Sequence, residues 1–577
     1  MSRLFRYIKP HVWYIAITLA IKFLGTTVEL FIPRLMETIL DDAIPASRIS
    51  GDLSMIFLLG GGMILCAAIG LTGNIVANRM AAKSAGRITR KIRHDLFEKL
   101  NRLSARQMDN LTISSAVTRL TSDTYNFNNM LARMQRMGIR APILLVGGVI
   151  MMLSMDWMLS LVLIGMLPVI SLTVILVTRK TVPLHKKAQE IQDNIVRVCQ
   201  ENITGIRVIK ALSKTDHERK RFDTVNTQHT NTTQKAATYS NITHPVANLA
   251  LNLSLTAVVV LGAYRVNSGD IEPGVIVAFL QYFTQLLMAT LGVTRIFIMW
   301  AQGEASAVRI AEVLEEPEDL TVLPAAEEIP EKPAHIEFKD VTFSYTGIGT
   351  NLENLSFRLE HGQSLGILGP TGSGKSTILN LLMRFYDPDQ GQVLINGQDV
   401  RTIPYEELRE KFGVVFQNDF VTEGTIAHNI RFFRELDDAA LEKAAQNAQA
   451  EFIKDRDGGM EAEVVIRGNN LSGGQKQRLL ISRALASNPE ILILDDSSSA
   501  LDYQTDSNLR KALRENYRNT TTVLVAQRVS SLRHADLILV LDDGKVIGAG
   551  DHRYLMQTCD EYRIIAETQM GEGKEEL

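Results

Sequence analysis

The run Gly369-Pro-Thr-Gly-Ser-Gly-Lys-Ser-Thr377 fixes the fold of the second half of the chain. Gly369 and Gly374 at this spacing, followed by Lys375 and Ser376, make the P-loop pattern. Glycines are required because inward-turned backbone N–H groups must approach phosphate oxygens closely, and side chains would block them. Pro370, Thr371, Gly372 and Ser373 form the loop, Lys375 would reach the β- and γ-phosphates, and the Ser376 hydroxyl would sit on Mg²⁺, with Thr377 completing the ATP-binding set. Ser364 to Leu368 reads as the strand before the loop and Ser376 to Phe385 as the helix after it. An accidental Gly-rich turn would lack that context.

A chain of 577 residues exceeds one ordinary core, so at least two domains are expected. The net charge of −3 gives no general pull toward nucleic acid. Cys66, Cys199 and Cys559 are too few and too scattered for a disulfide framework or a metal cluster, and the histidines show no ligand spacing. Met1 to Pro10 is basic and amphipathic without a small-residue cleavage site after it, and reads as a helix at the membrane surface.

Apolar and charged residues are segregated along the chain. Six apolar stretches fall before residue 305: Val12 to Pro33, Leu53 to Ala77, Arg140 to Met155, Trp157 to Thr178, Val246 to Val266 and Gly274 to Met299. A bilayer span needs about 20 mostly apolar residues, and several of these are apolar on all faces, unlike surface helices of a soluble protein. The third is short and is expected to extend back toward Asn128. Between spans two and three lie Arg79, Lys83, Arg87, Arg90, Lys91, Arg93, Lys99, Arg102 and Arg106; between four and five lie Arg179, Lys180, Lys186, Lys187, Arg219, Lys220 and Arg221. The positive-inside rule makes both segments, and both termini, cytosolic. The sequons at Asn110, Asn202 and Asn241 then lie on the wrong side for glycosylation. Helical periodicity continues through both segments, predicting two long hairpins with tips around Gln107 to Ser114 and Ala211 to Asp216, where the membrane part would touch the nucleotide domain.

The domains are placed at 1–314, a transmembrane domain with long intracellular helices; 315–335, an acidic linker rich in proline; and 336–577, a nucleotide-binding domain. In the last, short β-branched strands alternate with helices, as in a mostly parallel α/β sheet. The expected fold is therefore a membrane protein: an all-α six-helix transmembrane domain, then an α/β P-loop nucleotide-binding domain with a helical subdomain.

Further motifs follow the P-loop in order: Gln417, then Leu471-Ser472-Gly473-Gly474-Gln475, then the apolar strand Ile491 to Leu494 ending in Asp495, then Ser499-Ala500-Leu501-Asp502. Asp495, at a strand's carboxyl end, can hold Mg²⁺ with Ser376. Ser472 to Gly474 open a helix whose N–H groups and dipole suit an anion. The set, over nearly the whole chain, resembles an ATP-binding cassette (ABC) transporter half of the type IV exporter fold, in particular the degenerate-site subunit of bacterial heterodimeric multidrug exporters. The resemblance implies that Gln417 is a Q-loop residue and Mg²⁺ ligand, that Tyr345 stacks on adenine, and that Leu471 to Gln475 and Ser499 to Asp502 are signature and D-loop. It also implies a dimer, with two ATP molecules clamped between P-loop and partner signature.

Two positions depart from that pattern. The residue after Asp495, the Walker B aspartate of that pattern, is usually Glu and here is Asp496; one methylene less retracts the base, and a misplaced general base can forfeit up to roughly 10²- to 10⁴-fold in rate. The switch residue, usually His, is Gln527, which can donate a hydrogen bond to phosphate but cannot titrate. Both changes strike the hydrolytic step, which argues against tolerated variation in an active homodimer. This chain's own site should bind ATP and hydrolyse it poorly, while its intact signature completes the site of a second, non-identical half. Ile466 stands where related exporters often have Glu, and nothing in the sequence accounts for it.

The expected function is thus one subunit of a heterodimeric ATP-driven exporter of amphipathic small molecules, in a cell membrane, using ATP and Mg²⁺. A lipid flippase or exporter-fold importer, and an ATP-binding regulatory subunit that does not pump, are the alternatives. Lys22 and Glu29, seven apart on the first span, share one face; either both face a cavity or partner, or Lys22 snorkels to an interface. Glu29, Asn252, Gln281, Thr284, Gln285 and Met288 could line a substrate cavity. Met151, Met152, Met155 and Met158 offer either adaptable contacts or packing. Asp41 and Asp42 could close an outer gate or be solvated loop carboxylates.

Overall fold

The computed structural model describes residues 2–324, 332–417, 420–497 and 500–570. The chain divides into two compact units. One comprises Met1–Asn101 and Ser114–Glu316, the other Arg102–Ile113 and Pro317–Leu577.

The first unit is helical. Its principal helices are α1 (Val12–Glu29) and α2 (Ser54–Arg102); the second unit's insert, α3 (Ala105–Leu111), comes next, and the first unit resumes with α4 (Thr124–Met137), α5 (Arg140–Met155), α6 (Trp157–Thr204), α7 (Thr215–Asn241), α8 (Thr243–Asn267) and α9 (Pro273–Glu315). At about 1.5 Å per residue, the 49 residues of α2 reach about 73 Å, more than twice the hydrocarbon thickness of a bilayer. Five stretches among the described residues are long and apolar enough to cross a membrane: Phe5–Ser50, Ser54–Arg102, Ile113–Met155, Asn248–Asn267 and Pro273–Thr290. The fourth expected span, Trp157 to Thr178, lies within α6, where several side chains fall outside the described residues. The third extends backward as expected, with α4 and α5 separated only by a turn at Gly138.

Packing follows the small residues. A Cβ on Gly25 would meet the α2 backbone at Gly70 and Gly73, 3.5–3.6 Å away, so α1 and α2 approach at van der Waals distance. The core of the unit gathers Leu30, Leu144, Met152, Leu159, Val258, Phe279, Tyr282, Phe283 and Leu286. The buried Tyr282 hydroxyl donates to the Leu30 carbonyl at 2.6 Å, satisfying the one polar group of that side chain. Met152 is fully buried here and Met151 and Met155 pack against the cluster, which favours the packing reading for these three; Met158 is exposed.

The second unit carries strands β1 (Ile336–Phe343), β2 (Leu352–Leu359), β3 (Ser364–Leu368), then α10 (Lys375–Leu382), β4 (Gln390–Ile395), β5 (Gln398–Asp399), β6 (Phe412–Val415), α11 (Gly473–Leu485), β7 (Ile491–Asp495), α12 (Tyr503–Asn516), β8 (Thr521–Val525), β9 (Leu537–Asp542), β10 (Lys545–Gly550) and α13 (Asp560–Met570). They form a four-stranded antiparallel sheet, β2-β1-β4-β5, and a six-stranded sheet, β10-β9-β3-β8-β7-β6, parallel except at its β10 edge. β7 is buried along its whole length, as a parallel strand covered on both faces must be.

Two expectations are revised. The helix after the P-loop stops at Leu382, short of Phe385, because Arg384 takes a left-handed φ of 52° and buries its guanidinium against Asp387 and the Thr321 carbonyl. The supposed linker is anchored over its first part. Carbonyls of Pro317, Leu320 and Thr321 accept from Gln107, Tyr405 and Arg384 at 2.6–2.7 Å, and the Leu323 amide donates to the Arg401 carbonyl. Residues 325–331 lie outside the described residues.

Candidate ATP site

Strand order assembles the site. β3 and β7 flank β8, so the loops leaving these three strands meet at one end of the parallel sheet, the place where α/β folds bind ligands. After β3 comes the P-loop, β7 ends in Asp495 with Asp496 just beyond it, and after β8 comes Gln527. β6, beside β7, delivers Gln417, which is exposed just beyond the strand. The Asp496 amide donates to the Val525 carbonyl at 2.9 Å, stitching the end of β7 to β8.

The loop has the form a phosphate needs. Gly372 and Gly374 hold φ values of 88° and 99°, and a Cβ on Gly374 would strike the Asn351 carbonyl at 2.9 Å. Lys375 opens α10 and its ammonium donates to the carbonyls of Gly369 and Pro370 at 2.8 and 2.7 Å. The buried Ser373 hydroxyl makes no protein hydrogen bond. The Ser376 hydroxyl lies 3.5 Å from Asp495 Oδ2, so two hard oxygen donors stand side by side, the kind of set Mg²⁺ takes.

Burial raises both carboxyl groups above the ordinary aspartate range. Asp495 is raised further by Asp496 and pulled back by Lys375; Asp496 is pulled back by Lys375 and Arg528. Burial also lowers Lys375, against the pull of the two aspartates. Burial still raises both carboxyl groups despite Lys375 and Arg528, so a divalent cation beside them would favour their charged form. Asp496 adopts a left-handed φ of 49°, a backbone conformation that a non-glycine residue seldom takes.

Tyr345 is half-buried, edge-on to Phe343, and its hydroxyl accepts from Asn380 of α10 at 2.9 Å. Ser472 caps α11 with a full capping box: its hydroxyl accepts from the Gln475 amide, and Gln475 Oε1 accepts from the Ser472 amide at 3.0 Å. Ser472 and Gly473 are exposed, Gly474 and Gln475 half-buried, and Leu471 packs beneath them. Ala500 lies against Gly473 and Gly474, Leu501 is buried, and Asp502 caps α12 through Thr505; Ser499 lies outside the described residues. Ile466 is 62 % exposed.

One residue of the site gave no signal in the sequence. Gln569 of α13 donates through Nε2 to the Gln527 carbonyl and accepts at Oε1 from the Val529 amide, both at 2.8 Å. Arg528 does not cap the short helix Val529–Leu532, so Gln569 supplies the missing cap from forty residues away.

The membrane candidates separate. Lys22 is buried and does not snorkel: Nζ donates to Asn74 and Asn78 of α2 at 2.5 and 3.3 Å. Glu29 accepts from Asn74 at 2.5 Å and pairs with Arg140 at 3.0 Å, filling the space left by the absent side chain of Gly70. Gln281, Thr284, Gln285 and Met288 share one side of α9, with the Gln285 oxygen buried and without a partner; Asn252 is exposed on α8 and its amide donates within its own helix. Asp41 accepts from the Gly274 amide at 2.6 Å and so ties the chain after α1 to the start of α9.

Comparisons with known proteins agree with this geometry. Residues 15–290 match the ABC transporter transmembrane region and residues 352–499 the ABC transporter domain. The chain is 34 % identical to the uncharacterized ABC transporter ATP-binding protein YfiB of Bacillus subtilis, over all of both chains. It is 31 % identical to the uncharacterized ABC transporter ATP-binding protein Rv1273c of Mycobacterium tuberculosis, over 99 % of this chain and 98 % of that one. A solved bacterial Atm1-family ABC exporter with ATP bound superposes with a TM-score of 0.78 at 25 % identity, covering 98 % of this chain and 99 % of the other. The chain therefore belongs to the ABC transporter family, as a multi-pass membrane protein of the exporter fold with one nucleotide-binding domain.

Proposed function

We propose that this chain is the degenerate-site half of a heterodimeric ATP-driven exporter of amphipathic small molecules, with both termini and the nucleotide-binding domain cytosolic. The observation that carries the reading is Asp496 itself, one methylene shorter than the glutamate usual at that place, next to an intact Walker B aspartate, Asp495. Gly369 to Thr377 hold the phosphates, Lys375 supplies positive charge, and Ser376, Asp495 and Gln417 hold Mg²⁺. The metal, when bound, neutralises charge on the β- and γ-phosphate oxygens. Asp496 stands at the base position and Gln527 at the switch. Gln527 donates a hydrogen bond to phosphate without carrying a proton to or from it.

Tyr345 offers a ring face to adenine. Leu471 to Gln475, with Ala500 to Asp502, complete the partner's site through the exposed Ser472, Gly473, Ala500 and Asp502, where the helix start of α11 offers its N–H groups to phosphate. ATP at this chain's own site persists between turnovers and keeps the pair in contact. The reading is tested by restoring the missing groups. Asp496→Glu with Gln527→His should raise Mg²⁺-dependent hydrolysis at this site by about 10²-fold. An unchanged rate in a variant that still binds ATP would refute the assignment of Asp496 and Gln527 as the limiting defects.

A further inference from the structure

The tip of the first helical hairpin ends on the aromatic side chains that would hold adenine. α3 is fixed at its start by a capping box between Ser104 and Gln107, and the same two side chains hold Asp319 and the Pro317 carbonyl at 2.9 and 2.6 Å. This gives Asp109, the fifth of the helix's seven residues, a defined place. Its Oδ2 accepts from the Tyr386 hydroxyl at 2.6 Å. Tyr386 is buried, and its ring stands edge-on to Tyr345 with centroids 5.0 Å apart and planes at 87°. Phe343 holds Tyr345 from another direction at 4.8 Å and 86°. The Tyr345 hydroxyl is bound by Asn380 and lies 3.4 Å from the Thr377 hydroxyl, both on the helix that Lys375 opens.

We propose that Asp109 is a positioning residue for adenine: through Tyr386 it sets the plane of the Tyr345 ring, so that the hairpin tip and base recognition depend on one another. The inference rests on the reading of Tyr345 as the adenine platform. A T-shaped pair constrains the planes of both rings, and Tyr386 has its plane fixed by a charge-assisted hydrogen bond at the far end. Burial and the neighbouring carboxylate both raise the Tyr386 hydroxyl above its usual range, so it remains a donor throughout the working range of pH. When the tip shifts, Tyr386 loses its anchor and Tyr345 its edge contact. When adenine seats on Tyr345, the tip is held in place by the same contacts.

The test uses the full chain in lipid nanodiscs with Mg²⁺, measuring equilibrium binding of ATP and of inorganic tripolyphosphate, which has the phosphates but no base. Asp109→Ala and Tyr386→Phe should each weaken ATP by roughly 3- to 10-fold while tripolyphosphate changes by less than about 2-fold. Tyr386→Phe keeps the buried ring, so a packing defect does not confuse the result. Tyr345→Ala should weaken ATP at least as much and should cancel the effect of Asp109→Ala in the double variant. Equal weakening of both ligands by Asp109→Ala and Tyr386→Phe, or no change in either, would overturn the inference alone, provided Tyr345→Ala still shifts the ratio. If Tyr345→Ala leaves the ratio unchanged, the adenine assignment falls and the inference with it.

Discussion

Gln569→Ala removes two hydrogen bonds from the backbone around the switch residue, one on the Gln527 carbonyl and one on the Val529 amide, each 2.8 Å in the native chain. Val529 is buried, so its amide recovers water poorly, while Gln527 is exposed and its carbonyl recovers well. A net hydrogen bond is worth about 1 kcal/mol, and an orphaned buried donor costs about 1–3 kcal/mol. The native arrangement of the switch should therefore lose about 2 kcal/mol against its open alternatives, a factor of about 30 in population. The first assay is amide hydrogen exchange at Ala526 to Val529, where protection should fall by about that factor while β8 itself keeps its protection.

The second assay is a graded series. Gln569→Glu keeps the acceptor for Val529 but puts a carboxylate against the Gln527 carbonyl, so it should lie between the native chain and Gln569→Ala. ATP binding should weaken less than exchange protection, because the P-loop supplies most of the phosphate contacts. Unchanged exchange at Val529 in Gln569→Ala would show that α13 does not hold the switch.

Other consequences are local and separable. His335 is fully buried, with Nδ1 bonded to Thr521 and Nε2 without a hydrogen-bond partner, and burial, with His361 and Lys411 nearby, lowers its pKa from 6.5 to about 4. The unfolded chain takes up this proton below about pH 6.5 and the folded chain does not, so this stability is complete above that pH and is lost as pH falls toward 4. The loss should approach about 3 kcal/mol, and His335→Gln should flatten that part of the pH–melting profile; an unaltered slope would contradict the assignment. Lys22→Met strips the donor from Asn74 and Asn78 inside the membrane unit and should cost about 2 kcal/mol, read as a lower melting temperature in detergent. A melting temperature that is unchanged or higher would mean that the network contributes no stability.

The parts legible in the sequence were those written at fixed short spacing. Gly369 to Ser376 and the strand before them came out at their observed places, because backbone geometry around a phosphate loop tolerates few alternatives. The long hairpin helices were legible from unbroken periodicity. What stayed hidden joins residues far apart in the chain. Lys22 meets Asn74 across 52 positions, Asp109 meets Tyr386 across 277, and Gln569 reaches back over 40 to cap a helix. None has a local pattern, since a polar side chain in a helix looks the same whether it faces solvent or a distant backbone. The anchored start of the linker was hidden for the same reason. Its prolines and acids read as a free tether, and its partners Gln107, Arg384 and Tyr405 come from three separate elements.

The site around Lys375 and Asp496 should hold ATP without firing it. Its most direct test is the Mg²⁺-dependent ATPase rate of this chain purified alone in lipid nanodiscs, with ATP binding measured on the same sample. The lone chain should bind ATP saturably and hydrolyse it near background. Strong hydrolysis by the lone chain, abolished by Lys375→Ala, would contradict it.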